Sequence, residues 1–330
     1  MPALPSISWL TIVLTAAIFS QQASSPEAYP PPGRMVDIGG RSLHLNCKGK
    51  GSPTVILMAG GGGFSIDWAL VQPKVAESTR VCSYDRAGLG WSDPGPAEDS
   101  VEETVSDLHA LLQASDERGP YVLVGASIGG IFIQAYQRAF SKDIAALVFS
   151  NSSNRIGFQV KDKTGLIWEL TEGEIRSAYP FPPSANPKPT SEGDPYDKLP
   201  PDLQKVRLSL DVRMWEHWKK SGNGGPEGIL SWRKEFLREF DSTDAGKQPP
   251  LGSLPVVVIS SEAASPEFAR RSRDEAGPRL DYLSSNTLHI TATGSGHEIH
   301  LYQPDRVIHG ILQAVRAVRS GGAFIPSRLS

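Results

Sequence analysis

Residues 121–140 read YVLVGASIGGIFIQAYQRAF. The first four are an apolar run with no polar face, the pattern of a strand buried on both sides of a parallel sheet. From Ile131 the apolar residues recur at helical spacing instead. Between the two stands Gly125-Ala126-Ser127-Ile128-Gly129, a G-x-S-x-G pattern at a strand-to-helix junction. A serine at the apex of so tight a turn takes an unusual backbone conformation. Side chains two residues to either side would collide, so glycine occupies both places. The turn pushes the Ser127 hydroxyl out at the strand end and aims the first amides of the helix toward the same spot. Elsewhere the motif is often only a Gly-Ser turn; in this context it nominates Ser127 as a nucleophile and the Ile128 N–H as an oxyanion donor.

Working outward, apolar β-branched runs bounded by Gly and Pro predict strands at 35–38, 42–47, 54–58, 80–84, 121–124, 145–149, 256–259 and 288–291. Helical patterns lie between them. Ser100-Val101-Glu102-Glu103 reads as a capping box, followed by Val101, Val105, Leu108 and Leu112 on one face. A last helix starts near Pro304, with Val307, Ile308, Ile311, Leu312, Val315 and Val318 as its stripe. Such alternation gives an α/β sheet with right-handed crossovers.

The alternation breaks between Asn151 and Leu254, where no strong strand is evident. Helical patterns cover 165–178, 203–220 and 226–240, separated by a stretch at 180–201 dense in Pro, Ser and Gly. Four of the seven tryptophans fall here: Trp168, Trp215, Trp218 and Trp232. This segment, 153–250, is expected to form a helical cap over the C-terminal edge of a sheet built from 34–152 and 251–330. Its tryptophans would either line an entrance or pack the cap's own small core.

Two further stretches complete a site. Ala59-Gly60-Gly61-Gly62-Gly63 follows the run VILM directly. Glycines there let bare backbone approach a substrate, and the Gly61 N–H is the expected second donor to the oxyanion. No G-K-[ST] closes the run, which excludes a phosphate loop. Gly294-Ser295-Gly296-His297 follows the run LHIT and precedes the last helix, placing a general base at the same sheet edge. His300 lies three residues on, but H-E-I-H is not a zinc-helix spacing, and no metal or cofactor is expected. The other histidines, His44, His109, His217, His289 and His309, sit within strand or helix patterns and are read as structural.

Over the 330 residues, 39% hydrophobic and 21% charged content is an ordinary globular balance. A formal net charge of -3 with no basic run gives no footprint for nucleic acid. Residues 7–19, ISWLTIVLTAAIF, are apolar but too short to span a bilayer, and suit a signal-peptide core, although no Lys or Arg precedes them. An uncleaved anchor or a buried helix is the alternative. The expectation is a signal peptide over 1–23, a linker over 24–33 that ends in PEAYPPPG, and a secreted or periplasmic protein. Cys47 and Cys82 are the only cysteines, compatible with one disulfide or two buried thiols.

Together the elbow, the turn Tyr84-Asp85-Arg86-Ala87-Gly88-Leu89-Gly90-Trp91-Ser92 and Ser295-Gly296-His297-Glu298-Ile299-His300-Leu301 resemble the α/β-hydrolase family, from about Met35 to the final helix. The likeness is greatest to its esterase-like bacterial members. It implies a mostly parallel eight-stranded sheet with helices on both faces and an inserted helical cap. It also implies a chain order of Ser, acid, His, with Asp85 and Arg86 bracing a loop beside the site. The chain departs from the family in having Ala59 where His is frequent and Ala126 where the elbow often carries His. The acid is expected after the strand at 256–259, where Glu262 stands four residues before Pro266. In some members an Asp follows the preceding strand, where this chain has Asn151, which offers a neutral partner for His297. The implied strand order makes the strands carrying Cys47 and Cys82 neighbours, so a disulfide is expected. The expected substrate is a small-molecule ester, apolar or aromatic. An amide, a binding role without turnover, or a cofactor-free lyase or perhydrolase on the same scaffold are the alternatives.

Overall fold

A computed structural model describes residues 29–95, 100–152, 193–221, 251–261 and 283–324, together with the backbone of 159–161 and 167–169. Among the described residues there are ten strands: β1 (Arg34–Asp37), β2 (Ser42–Lys48), β3 (Thr54–Met58), β4 (Val81–Tyr84), β5 (Tyr121–Ala126), β6 (Ile144–Ser150), β7 (Gln159–Lys161), β8 (Ile167–Glu169), β9 (Val256–Ser261) and β10 (Thr287–Ala292). The helices are α1 (Gln72–Ala76), α2 (Val101–Ala114), α3 (Gly129–Ala139), α4 (Pro201–Ser221), α5 (Ile299–Tyr302) and α6 (Pro304–Arg319). Eight strands form one sheet in the order β1-β2-β4-β3-β5-β6-β9-β10. The first two pairings are antiparallel and all the others parallel. This is the mostly parallel α/β-hydrolase sheet expected from the resemblance.

The side-chain period of two sorts the central strands into two cores. Ile56, Met58 and Leu123 face α2 and α3, whereas Val55, Leu57, Val122 and Val124 face α1 and α6. Every residue of β3 and β5 is buried, which is why both read as unbroken apolar runs. Ser100 caps α2 by accepting the Glu103 N–H at 3.0 Å. The return half of the box is replaced, because the Glu103 carboxylate takes the Arg41 guanidinium at 2.6 Å.

Cys47 and Cys82 sit directly opposite each other on β2 and β4, Cα atoms 4.0 Å apart, and are disulfide-bonded. The turn after β4 is held by its own residues. Asp85, fully buried, accepts from the Ser65 N–H at 2.6 Å and the Trp91 N–H at 3.1 Å, with the His44 ring Nδ1 at 2.8 Å. Gly90 has φ +53, and a Cβ there would lie 2.2 Å from the Asp85 carboxyl, so no other residue fits. His44 also reaches the Pro32 carbonyl at 2.6 Å, which makes it an anchor rather than a base.

Between Asn151 and Leu254 one expectation is corrected. The helical pattern at 165–178 contains β8, which pairs antiparallel with β7. Ile and Trp favour strands, and so short a window cannot separate a strand from a helix by periodicity. The helix expected at 203–220 is α4; that expected at 226–240 lies outside the described residues. Helix α4 docks through Val206, Leu210 and Met214 onto Phe64, Ile66, Leu89 and Trp91, with Trp215 packed against the same cluster. That seam engages at least one face of Trp215. The side chains of Trp168, Trp218 and Trp232 lie outside the described residues, as does 1–28. Among the described residues no helix is long and apolar enough to cross a membrane.

Candidate active site

Strand β5 ends at Ala126 and α3 starts at Gly129, leaving Ser127 and Ile128 as the whole connection. Ser127 takes φ +50, and its N–H donates to the Ser150 carbonyl on β6 at 3.1 Å. The flanking glycines are steric necessities. A Cβ on Gly125 would lie 2.5 Å from the Gly129 backbone, and one on Gly129 would lie 2.8 Å from the Met58 carbonyl.

His297 arrives on the loop after β10, and its Nε2 is 2.9 Å from the Ser127 Oγ across 170 residues of chain. Gly296 is required beside it, since a Cβ there would lie 2.3 Å from the Tyr302 ring. Partial burial holds the His297 pKa below its usual 6.5, so the ring is neutral at neutral pH, as a proton acceptor must be. His300 faces elsewhere: it stacks on Trp68 at 4.6 Å between centroids. Its pKa is pushed down to about 3 by burial and by the charges of His297 and Arg207.

The other ring nitrogen of His297 meets Asn151. This residue follows β6 with φ +45, its N–H tied to the Ile259 carbonyl at 2.7 Å. Its Nδ2 lies 3.1 Å from His297 Nδ1 and donates to the His297 carbonyl at 2.9 Å, while its Oδ1 accepts the Ser261 hydroxyl at 3.1 Å. In this orientation Nδ1 is the acceptor, so the ring proton sits on Nε2, facing Ser127. The tautomer that can take a proton from Ser127 needs the amide turned, with Oδ1 toward Nδ1–H. The Ser261 hydroxyl suits either orientation because it can donate or accept. The His297 carbonyl opposes the turn, because it would then face an oxygen. Glu262, the acid expected from the sequence, lies outside the described residues.

Gly61 is exposed between buried Gly60 and Gly62. Its missing Cβ points at Ile128, 3.7 Å from Cγ2, and that of Gly60 lies 3.2 Å from the Ser127 Cβ. Arg86 donates to the carbonyls of Ala59 at 2.7 Å and Gly60 at 2.8 Å. In a trans peptide the N–H opposes the C=O, so the N–H of Gly61 is turned away from Arg86. The loop and elbow are therefore brought together, with Ser127 and His297 in hydrogen-bond contact and Gly61 and Ile128 alongside. Sequence reasoning missed Ser261 and Arg207. The arginine sits on an amphipathic helix, where a cation ordinarily signals a solvated face.

Comparison with known proteins agrees with this fold. A model of the alpha/beta hydrolase family matches residues 55–309. The uncharacterized protein YqjL of Bacillus subtilis (strain 168) is 30% identical over 274 residues, spanning 82% of this chain and 87% of its own length. A 2-hydroxymuconate semialdehyde hydrolase of Pseudomonas sp. (strain CF600) is 28% identical over 153 residues, 44% of this chain and 52% of its own. Among solved structures, a thermophilic esterase from Thermogutta terrifontis superposes with a TM-score of 0.59 at 20% identity, covering 86% of this chain and 98% of that one. The chain belongs to the alpha/beta hydrolase family.

Proposed function

We propose that this hydrolase cleaves a carboxylic ester of a small, apolar or aromatic molecule through an acyl-serine intermediate. The observation that carries the reading is the 2.9 Å contact between Ser127 Oγ and His297 Nε2, made by a serine held at φ +50. His297 takes the hydroxyl proton as Ser127 attacks the carbonyl carbon. The oxyanion is received by the N–H groups of Gly61 and Ile128. His297 then returns the proton to the leaving alcohol and activates the water that releases the acid. Asn151, with its amide turned so that Oδ1 accepts the Nδ1–H, holds the imidazole from its far side as a neutral partner, with Ser261 behind it. Export to an oxidising compartment is part of the proposal, supported by the Cys47–Cys82 disulfide.

Labelling with a fluorophosphonate tests the nucleophile. The wild-type protein should label at Ser127, and Ser127→Ala should stay folded, take no label and lose at least ~10³-fold in ester turnover. Label on another serine ends the assignment. A panel of esters, amides and 2-hydroxymuconate semialdehyde, the compound in the Pseudomonas relative's name, then decides the bond.

A further inference from the structure

Four glycines in a row carry no side chains to hold them, and glycine loses the most conformational freedom on ordering. The shape of 60–63 must therefore be imposed by groups outside it. Arg86 holds the near arm, through the carbonyls of Ala59 and Gly60. The far arm is held from the inserted segment, by Arg207 on α4, which donates to the Gly62 carbonyl at 3.0 Å. The same guanidinium donates to Asp67 at 2.8 Å, and the second Asp67 oxygen accepts the Phe64 N–H at 2.8 Å. Arg207 lies over the Phe64 ring at 4.1 Å, and over the Tyr196 ring at 4.2 Å. Asp211, one turn along α4, approaches it at 3.5 Å.

Its side chain is 1% exposed. Burying an ion pair gives little net stability, and an apolar side chain of similar volume often packs as well or better. What an apolar residue cannot do is grip a backbone carbonyl and an acidic side chain together in a fixed plane. The turn closes on itself through Gly63 N–H to the Gly60 carbonyl at 3.2 Å, leaving exposed Gly61 as its apex.

We propose that Arg207 is a positioning residue for the oxyanion hole. It seats α4 on the glycine loop and so holds the Gly61 N–H in line with that of Ile128; without that contact the donor is misaligned. The inference rests on the acyl-serine reading above.

The test is Arg207→Lys, which keeps the charge beside Asp67 but loses the planar fork. A misaligned donor weakens the transition state more than the ground state, so kcat should fall ~10–100-fold with KM within ~3-fold of wild type. Fluorophosphonate labelling of Ser127 should slow by a similar factor. If Arg207→Lys does not fold, Tyr196→Leu removes one stacking ring and leaves the Asp67 pair; the same split is expected at ~3–10-fold. Unchanged kcat and labelling in the folded variant overturn the role of Arg207 while leaving Ser127 as nucleophile. A rise in KM alone, or losses that only track a lower Tm, also overturn it. A wild-type protein that takes no label at Ser127 fails the underlying reading instead, and this one with it.

Discussion

Asn151 occupies the place where an anionic partner for His297 would stand. An amide can hold the ring but adds no charge to offset the imidazolium formed during attack. Burial lowers the His297 pKa, and among the described residues no carboxylate contacts the ring to raise it again. The acid limb of kcat/KM should consequently fall below pH 6.5. Asn151→Asp places an anion at Nδ1, which favours the charged ring and moves the limb upward, and it sets the base-competent tautomer in place. The variant is expected to raise kcat, while Asn151→Ala lowers it ~10–100-fold. A limb that stays put in Asn151→Asp, or full activity in Asn151→Ala, removes Asn151 from the mechanism. Glu262→Gln measured alongside tests the expected acid directly; a large loss there with Asn151→Ala unaffected returns the role to Glu262.

Among the elements, β2 runs antiparallel to its neighbour β4, and only β1 lies beyond it at that end of the sheet. The disulfide staples this end across a sequence separation of 35. Closing such a loop removes freedom from the unfolded chain, which stabilises the fold by ~2–4 kcal/mol. Replacing both cysteines by serine should lower the urea midpoint accordingly. An unchanged midpoint would mean that the sheet pairing alone secures β2. Beyond the staple, β4 leads straight into the Asp85–Arg86 turn, so this end of the sheet also carries the near clamp on the glycine loop.

For the molecule as a whole, ionisable groups beside the site give stability two opposed pH flanks. Glu298, next to His297 in the chain, is about one quarter exposed, and its Oε2 is 3.6 Å from His300. Burial, then the charge of Asp67, raises its pKa from 4.5 to about 7, against the lowering effect of Arg207. A raised carboxyl favours the folded state while protonated. Its contribution is therefore full below pH 4.5 and lost as pH climbs through 7. Burial also raises Asp67, the same sense. His297 and His300 have lowered pKa values, so their contribution is present above pH 6.5 and lost as pH falls below it. Glu298→Gln removes one alkaline term. Thermal melts from pH 5 to 9 should show the variant's Tm gaining on wild type as pH rises; a constant difference refutes the assignment.

Much of this was legible in the linear chain, because local rules govern it. All eight strands of the main sheet were marked by apolar, β-branched runs bounded by Gly and Pro; in β3 and β5 the run is unbroken because every residue is buried. Ser127, Gly61 and His297 were marked by small residues that tight turns and close approaches require. Helix α1, five residues long, gave too few turns to show a period. The short strands β7 and β8 misled for the same reason. Two placements had no local signature. Asn151 meets His297 across 146 residues, and Arg207 reaches the Gly62 carbonyl across 145. Which polar side chain satisfies a distant buried partner depends on how the elements pack, and spacing along the chain does not encode that. The sheet and its elbow thus follow from the pattern of residues, whereas the contact of Asn151 rather than another candidate with His297, and that of Arg207 with the Gly62 carbonyl, are decided only when the elements close on one another.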